Sequence, residues 1–291
     1  MPVEKLLRPR VKDIGGGFIV RRSLPGFPTQ GIGPFVFFDH FGPLTVRPDD
    51  NHDVRPHPHS GLATVTYLFV GAMLHRDSLG SVQRIEPGAI NWMTAGRGIV
   101  HSERAPPDLR GKTYGMHGLQ LWAALPKAFE ECEPAFFHTA AEAIPAWSQP
   151  GTSVRVLIGR GFGQESPVRT FSKTLYLDVA ADEGSSLTLP SEPGLAVFER
   201  AVYSVDQPLV ADGTDVPAFT MAVLTPGIEA TIVAPQGARY VVIGGEPLDG
   251  PRVIRWNFVS SSNERIVRAE DDWRAQRMGQ IAGEHDWIPL P

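Results

Sequence analysis

The chain has 291 residues, 42% hydrophobic and 20% charged, with a formal net charge of -5 and a pI near 6.0. That balance suits a soluble globular protein with a sizeable core and excludes the basic surface that direct nucleic-acid binding needs. A single cysteine, Cys132, excludes an intramolecular disulfide, and no uncharged apolar run reaches the roughly 18 residues of a membrane helix.

Residues 1–50 hold short apolar pieces, such as Phe18-Ile19-Val20 and Phe35-Val36-Phe37-Phe38, between Gly- and Pro-rich turns, with no apolar signal core at the start. With the lone cysteine, this predicts a reducing, cytoplasmic setting. Leu62–Val70 is the clearest strand, β-branched and aromatic and ended by Gly71. Gln83–Ile85, Ala89–Met93, Gly98–Ser102 and Gly118–Ala123 follow, with a turn at Glu86-Pro87-Gly88. Pro126 to Glu133 reads as a short helix opened by its proline. A second series of strands covers Ser153–Ile158, Thr174–Val179, Ser186–Leu189, Leu195–Val205, Phe219–Leu224, Ala230–Val233, Arg239–Ile243 and Arg252–Val259. Many short strands with frequent turns predict an all-β sandwich or barrel architecture, repeated in two halves. The expected division is an N-terminal domain over 1–135, a linker over 136–150 and a C-terminal domain over 151–291. Near the end, Ser261-Ser262-Asn263-Glu264 fits a capping box with Ser261 as N-cap, opening a helix over about 262–276. Ile266, Ala269 and Trp273 give it one apolar stripe, and Asp286–Pro291 reads as a docked tail.

Chemistry concentrates between Arg55 and Glu103. Arg55-Pro56-His57-Pro58-His59-Ser60-Gly61 and Ala95-Gly96-Arg97-Gly98-Ile99-Val100-His101-Ser102-Glu103 each carry two metal-capable side chains at i and i+2. On a strand such pairs share a face. Three imidazoles and a carboxylate converging inside a barrel would suit Fe, Mn, Ni, Cu or Zn, with no thiolate to select softer ions. Around a six-coordinate ion they would leave two positions open for water, substrate or dioxygen. Satisfied or surface histidines fit the same spacing, and spacing alone leaves both readings open. His40, His75 and His117 are candidates to hydrogen-bond behind the ligands. His52, His138 and His285 read as surface residues, and Asp39, Asp53 and Asp77 as turn or strand-end residues. Seven of the nine histidines lie between His40 and His117 and none between Val154 and Glu284, so a duplicated second half would keep the strands without the site.

The run His57–Gly61, Thr64-Val65-Thr66-Tyr67 and Asn91-Trp92-Met93-Thr94-Ala95-Gly96 through to Glu103 resembles the pirin family, as does His117-Gly118-Leu119-Gln120-Leu121-Trp122 with Leu125-Pro126 behind it. The resemblance covers most of residues 12–126 and, more loosely, the second half. It implies a bicupin: two antiparallel β-barrels packed face to face, with one divalent metal, iron(II), in the N-terminal barrel. Its ligands carry over onto His57, His59, His101 and Glu103, the four that spacing selects; Mn, Ni, Cu and Zn are the other candidate ions. One departure stands out. Pirins commonly carry a glutamate three or four residues beyond the second histidine of the first motif, where this chain has Leu62 and Ala63.

Two functions from different classes follow. The first is a dioxygenase similar to quercetin 2,3-dioxygenase, acting with dioxygen on a flavonol or related enol, with Glu103 as both ligand and general base. The second is a non-enzymatic, metal- or redox-dependent regulator that binds a transcription factor or metabolic enzyme. A purely stabilising ion would more usually be closed by four ligands around zinc. A monomer is expected, because the second barrel supplies the packing a partner otherwise would.

Overall fold

The computed structural model describes residues 2–191 and 198–291. The chain folds into two compact units, both built from antiparallel strands, with one α-helix among the described residues. The expected strand Leu195–Val205 begins outside the described residues; within them Glu199–Ser204 is a strand.

The unit that carries the histidines comprises Lys12–Val20, Asp39–Ala141 and Asp249–Pro291. One of its sheets has the order Val54–His59, Ile99–Arg104, Met73–Asp77, Val82–Ile85. The other runs through Ala135–Thr139, Ile90–Thr94, Leu62–Val70 and Tyr114–Ala124. Leu68 and Met116 of the second sheet meet Met73 and Ile85 of the first in a core shared with Phe18 and Phe41. The two sheets therefore close on each other through alternate, inward-facing side chains.

The other unit comprises Met1–Val11, Arg21–Phe38 and Glu142–Leu248. Val3–Leu7 lies at one edge of its larger sheet, followed by Met221–Leu224, Glu199–Ser204, Ala238–Gly245, Thr174–Ala181, Thr152–Ile158 and Ala146–Gln149. A four-stranded sheet of Ser185–Leu189, Ala230–Ala234, Leu209–Ala211 and Thr214–Val216 completes it. Its core is almost wholly aliphatic, with Val154, Leu177, Val202, Ile232 and Val242 at its heart and Tyr240 as its buried aromatic.

These units differ from the linear division into 1–135, 136–150 and 151–291. The first strand pairs with Met221–Leu224, Leu6 opposite Ala222, because Val3 and Leu6 pack against the aliphatic core of the later-sequence unit. The last forty-odd residues return to the histidine-bearing unit: Phe258 bridges Ser60, and Val259 N–H donates to the Ser60 carbonyl at 3.0 Å. Nor is 136–150 a bare linker. Ala135–Thr139 pairs with Ile90–Thr94, and Ala146–Gln149 with Thr152–Ile158.

The C-terminal helix runs Asn263–Arg274 and buries Ile266, Ala269 and Trp273, the expected stripe, against Val100, Phe258 and Ile281. Its N-cap is Ser262 rather than Ser261: the Ser262 hydroxyl accepts from Arg265 N–H at 3.3 Å. Ser261 is diverted because its N–H and hydroxyl both donate to the buried carboxylate of Glu130. The helix expected over Pro126–Glu133 shortens to a single 3-10 turn, Lys127–Phe129.

Candidate metal centre

His57 and His59 sit on Val54–His59, the edge strand of its sheet. That position explains how Pro56 and Pro58 can alternate with them, since proline lacks the N–H that an interior strand would need. The edge is covered by the chain's own tail, where Ile288 N–H donates to the Pro56 carbonyl at 2.8 Å. Alternation puts both imidazoles on the inner face, and the register sets His101 of the neighbouring strand directly opposite His57.

The three rings converge. Their centroids lie 4.3 Å (His57–His101), 5.0 Å (His59–His101) and 5.0 Å (His57–His59) apart. Each offers a nitrogen within 4.8 Å of the others'. The Nδ1 of His57 donates to the Arg55 carbonyl at 2.9 Å and that of His59 to the Asn257 carbonyl at 3.2 Å. A carbonyl can only accept, so both rings carry the proton on Nδ1 and leave Nε2 as a lone-pair donor. Burial holds His59 and His101 well below the usual imidazole range and brings His57 down to about 4, so all three are neutral at ordinary pH.

Glu103 shares this pocket without joining the tight group of three. A register shift between His101 and Glu103 displaces it along the strand, and its Oε1 lies 3.5 Å from His101 Nδ1, too long for a made hydrogen bond. Burial pushes its carboxyl up to about 8. Glu103 also lines an adjacent cavity of about 250 Å³, together with His52, Met73, Arg104, Tyr114 and Met116. His52 is thus a half-buried wall residue beside Phe18 rather than a plain surface histidine, and Asp53 lines the same cavity while accepting from Ala105 N–H at 2.6 Å.

The donor set fits a cation. Both ring nitrogens of His101 and Oε2 of Glu103 are buried with no hydrogen-bond partner among the described residues. Each such orphan costs about 1–3 kcal/mol. A divalent ion accepted by neutral imidazoles and one carboxylate would satisfy one His101 nitrogen and the Glu103 oxygen and expel the Glu103 proton.

Of the three histidines expected behind the ligands, His75 is adjacent: its ring is 5.4 Å from that of His101 and lies flat on Phe136. Its Nε2 donates at 3.0 Å to Asp77, whose other oxygen accepts from Leu79 and Ser81 N–H. Burial works to raise the Asp77 carboxyl, yet the hydrogen bonds from His75 and Ser81 outweigh it and hold the group below its ordinary value. His40 and His117 are hydrogen-bonded to each other, Nε2 to Nε2 at 2.7 Å. His138 and His285 are exposed.

Three contributors were missed by sequence reasoning. Asp77 stands opposite His101 in the ladder, and the His75-x-Asp77 spacing, the same i, i+2 signal that selects the ligands, would have found it. Asn257 and Glu284 had no local signal. The Glu284 carboxylate accepts from the Ser102 hydroxyl at 2.7 Å and from Arg104 Nε at 3.1 Å, gripping the strand on both sides of Glu103.

Comparison with known proteins agrees with this architecture. The Pirin family model matches residues 17–123 and the Pirin C-terminal cupin domain model residues 176–279. A pirin-like protein of Caulobacter vibrioides is 42% identical over 99% of both chains. Rat pirin is 35% identical, covering 96% of this chain and 93% of its own. A crystal structure of quercetin 2,3-dioxygenase from Acinetobacter baumannii superposes with a TM-score of 0.91 at 34% identity, covering 99% of this chain and 94% of that one.

Proposed function

This chain belongs to the pirin family of bicupin proteins, and from that premise we propose that it is a metal-dependent dioxygenase of enolic substrates, flavonols such as quercetin among them. In this reading His57, His59, His101 and Glu103 hold one divalent ion, iron(II). The observation that carries it is the set of buried donors without partners: both nitrogens of His101 and Oε2 of Glu103, beside two imidazoles whose protons are already committed to carbonyls.

Such an ion supplies Lewis acidity and one-electron chemistry. The chain's own residues do the rest. The Arg55 and Asn257 carbonyls fix the rings of His57 and His59, so that ligand geometry is set before anything binds. Glu103, the ligand that also lines the 250 Å³ cavity, is placed to take the proton of a substrate hydroxyl at its carboxylate. Met73 and Met116 give that cavity an apolar wall that disfavours bulk water, while Arg104 is held by Glu284 and Asp286. Leu62 and Ala63 are fully buried apolar residues, so the stretch where the family commonly has an acid contributes none here. In this reading Glu103 serves as the base.

The test has two stages. Purified, unchelated protein should contain about one equivalent of a first-row metal, and His57→Ala with His101→Ala should remove it. Oxygen uptake by protein loaded anaerobically with Fe, Mn, Ni or Cu is then measured against a flavonol panel. Metal-dependent consumption that Glu103→Gln suppresses supports the reading. Full metal occupancy with no consumption across the panel refutes the dioxygenase and leaves a metal-dependent binding protein.

A further inference from the structure

The cavity on which Glu103 opens is walled by both sheets of the histidine-bearing unit. Met73, Glu103 and Arg104 come from one sheet, and Val46, Tyr114 and Met116 from the other. Tyr114 is the first residue of the strand Tyr114–Ala124, and alternation puts it on the same face as Met116, two residues on. Its ring packs against the core that holds Phe18, Phe41 and Met116, which fixes it beside the cavity. Glu103 and Tyr114 therefore reach the same space from opposite sheets.

Other polar groups of the wall are already engaged. Arg104 is held by Glu284 and Asp286, and Asp53 accepts from Ala105 N–H at 2.6 Å and from Arg110 at 3.2 Å. Arg47 and Lys112 are exposed residues of the flanking loops. The hydroxyl of the half-buried Tyr114 makes no hydrogen bond to protein among the described residues. Burial first, and the Asp53 carboxylate second, hold its phenol above the ordinary range, so it keeps its proton and is a donor.

A donor opposite a base suits a molecule with oxygens on adjacent carbons. In a free 3-hydroxy-4-pyranone the enol O–H donates to the neighbouring carbonyl. Once the proton passes to the Glu103 carboxylate that internal hydrogen bond is lost, the two oxygens repel, and the carbonyl needs a new donor. At about 250 Å³ the cavity is below the roughly 300 Å³ at which drug-sized ligands are enclosed, so it holds the enol ring and leaves the pendant ring of a flavonol outside. Taking the site as one for enolic substrates, we propose that Tyr114 is its specificity-determining residue: the Tyr114 hydroxyl donates to the carbonyl oxygen beside the enol oxygen that Glu103 deprotonates, and so selects enols with a neighbouring carbonyl over plain phenols.

Tyr114→Phe keeps the ring and removes only the hydroxyl. Full-length protein loaded with iron(II) and kept anaerobic, so that no turnover intervenes, is titrated with 3-hydroxychromone, which has both oxygens, and with 2-naphthol, which lacks the carbonyl. Equilibrium dialysis reads binding, and metal content is measured in the same samples. The parent should bind 3-hydroxychromone saturably and Tyr114→Phe about fivefold more weakly, the worth of one hydrogen bond, with 2-naphthol affinity and metal content the same in both. Absence of saturable 3-hydroxychromone binding by the parent overturns the proposal, as does equal affinity of the two proteins or an equal loss for both ligands, which marks a merely structural role. Oxygen uptake separates this from the activity itself. The selective affinity loss in a protein that consumes no oxygen upholds Tyr114 and refutes the dioxygenase, whereas turnover with KM and affinity unchanged in Tyr114→Phe refutes the role of Tyr114 alone.

Discussion

Replacing Arg252 by methionine tests how far the metal centre depends on the returning C-terminal segment. The Arg252 side chain is 2% exposed; its Nη2 donates to the Leu125 carbonyl at 2.8 Å and its Nη1 to Gly250 at 2.9 Å. Its Nε lies 2.7 Å from Glu130 Oε1, but off the N–H direction, so the contact is an ion pair rather than an aligned hydrogen bond. Glu130 in turn accepts from the Ser260 hydroxyl at 2.9 Å and Ser261 N–H at 2.8 Å. Methionine approximates the arginine stem in volume, so packing is largely kept while the buried carboxylate loses its cation. Breaking one partner of a buried pair costs roughly 3–5 kcal/mol. At about 2–4 °C per kcal/mol that lowers Tm by on the order of 10 °C. The same segment presents the Asn257 carbonyl to His59, so metal affinity should fall about tenfold or more. The double variant Glu130→Gln/Arg252→Met removes the uncompensated charge and should recover at least ~1 kcal/mol over the single. Thermal unfolding of metal-free and metal-loaded protein and competitive chelator titration read both effects. A single variant within 1 kcal/mol of the parent, or a double that merely adds the two losses, refutes the reasoning.

The metal-free protein should be most stable near pH 6.5. Glu103 keeps its proton in the fold to about 8 but loses it at 4.5 when unfolded, so its stabilisation declines as pH rises between those values, by about 2 kcal/mol from pH 6.5 to 8. Buried His57 has the opposite sign: unfolded it protonates at 6.5, folded only at about 4, so stability falls as pH drops through that window, and His59 and His101 act in the same direction. Urea unfolding of metal-free Glu103→Gln that still declines from pH 6.5 to 8 as the parent does would contradict the assignment. Gly61→Ala should cost more than ~3 kcal/mol: the residue has φ of +71°, and a Cβ there would run into the Val259 carbonyl oxygen, which is backbone and cannot swing aside. Unchanged Tm in that variant would show that the C-terminal crossing is not tight. Glu284→Gln, which weakens the grip on Ser102 and Arg104, should lower metal affinity severalfold while leaving the far-ultraviolet spectrum unchanged; parental affinity would mean that this buried clamp does not position the site.

What could be read from the sequence was local. Alternation on a strand is enough to put His57 and His59 on one face, and a spacing of three and four is enough to place Ile266, Ala269 and Trp273 in a core. What escaped depended on neighbours far along the chain. Ser261 has the residue type and spacing of an N-cap, but Glu130 claims both its donors, and the cap moves to Ser262. Val3–Leu7 carries no signal that its partner strand begins at Met221, because an edge strand of five residues pairs wherever an apolar face needs covering. Glu103 shows the limit within the site itself. Its i+2 relation to His101 predicts a shared face, whereas the register shift between them and its place in the cavity wall come only from the ladder.

The two units use the same strand arrangement with opposite interiors, and that contrast has a thermodynamic consequence. The core around Val202 and Val242 is almost wholly aliphatic, and the buried atoms it leaves unpartnered, such as the Tyr240 hydroxyl, are neutral groups that make no cation site. The core around His101 instead leaves imidazole nitrogens and the Glu103 oxygen unpartnered among the described residues, a donor set that suits a cation. Ligand binding to the native state alone stabilises by about 2.7 kcal/mol at a hundredfold excess over Kd, and that gain should fall on the unit that holds the ion. Hydrogen exchange before and after chelation separates the two. Amides of Ile99–Arg104 should lose protection on metal removal, while those of Ala238–Gly245 should keep theirs. Equal loss in both strands would mean that the units unfold as one body and that the metal supports the whole chain. Equal retention would mean that the histidine-bearing interior is stable without an ion, which would remove the physical basis for placing one there.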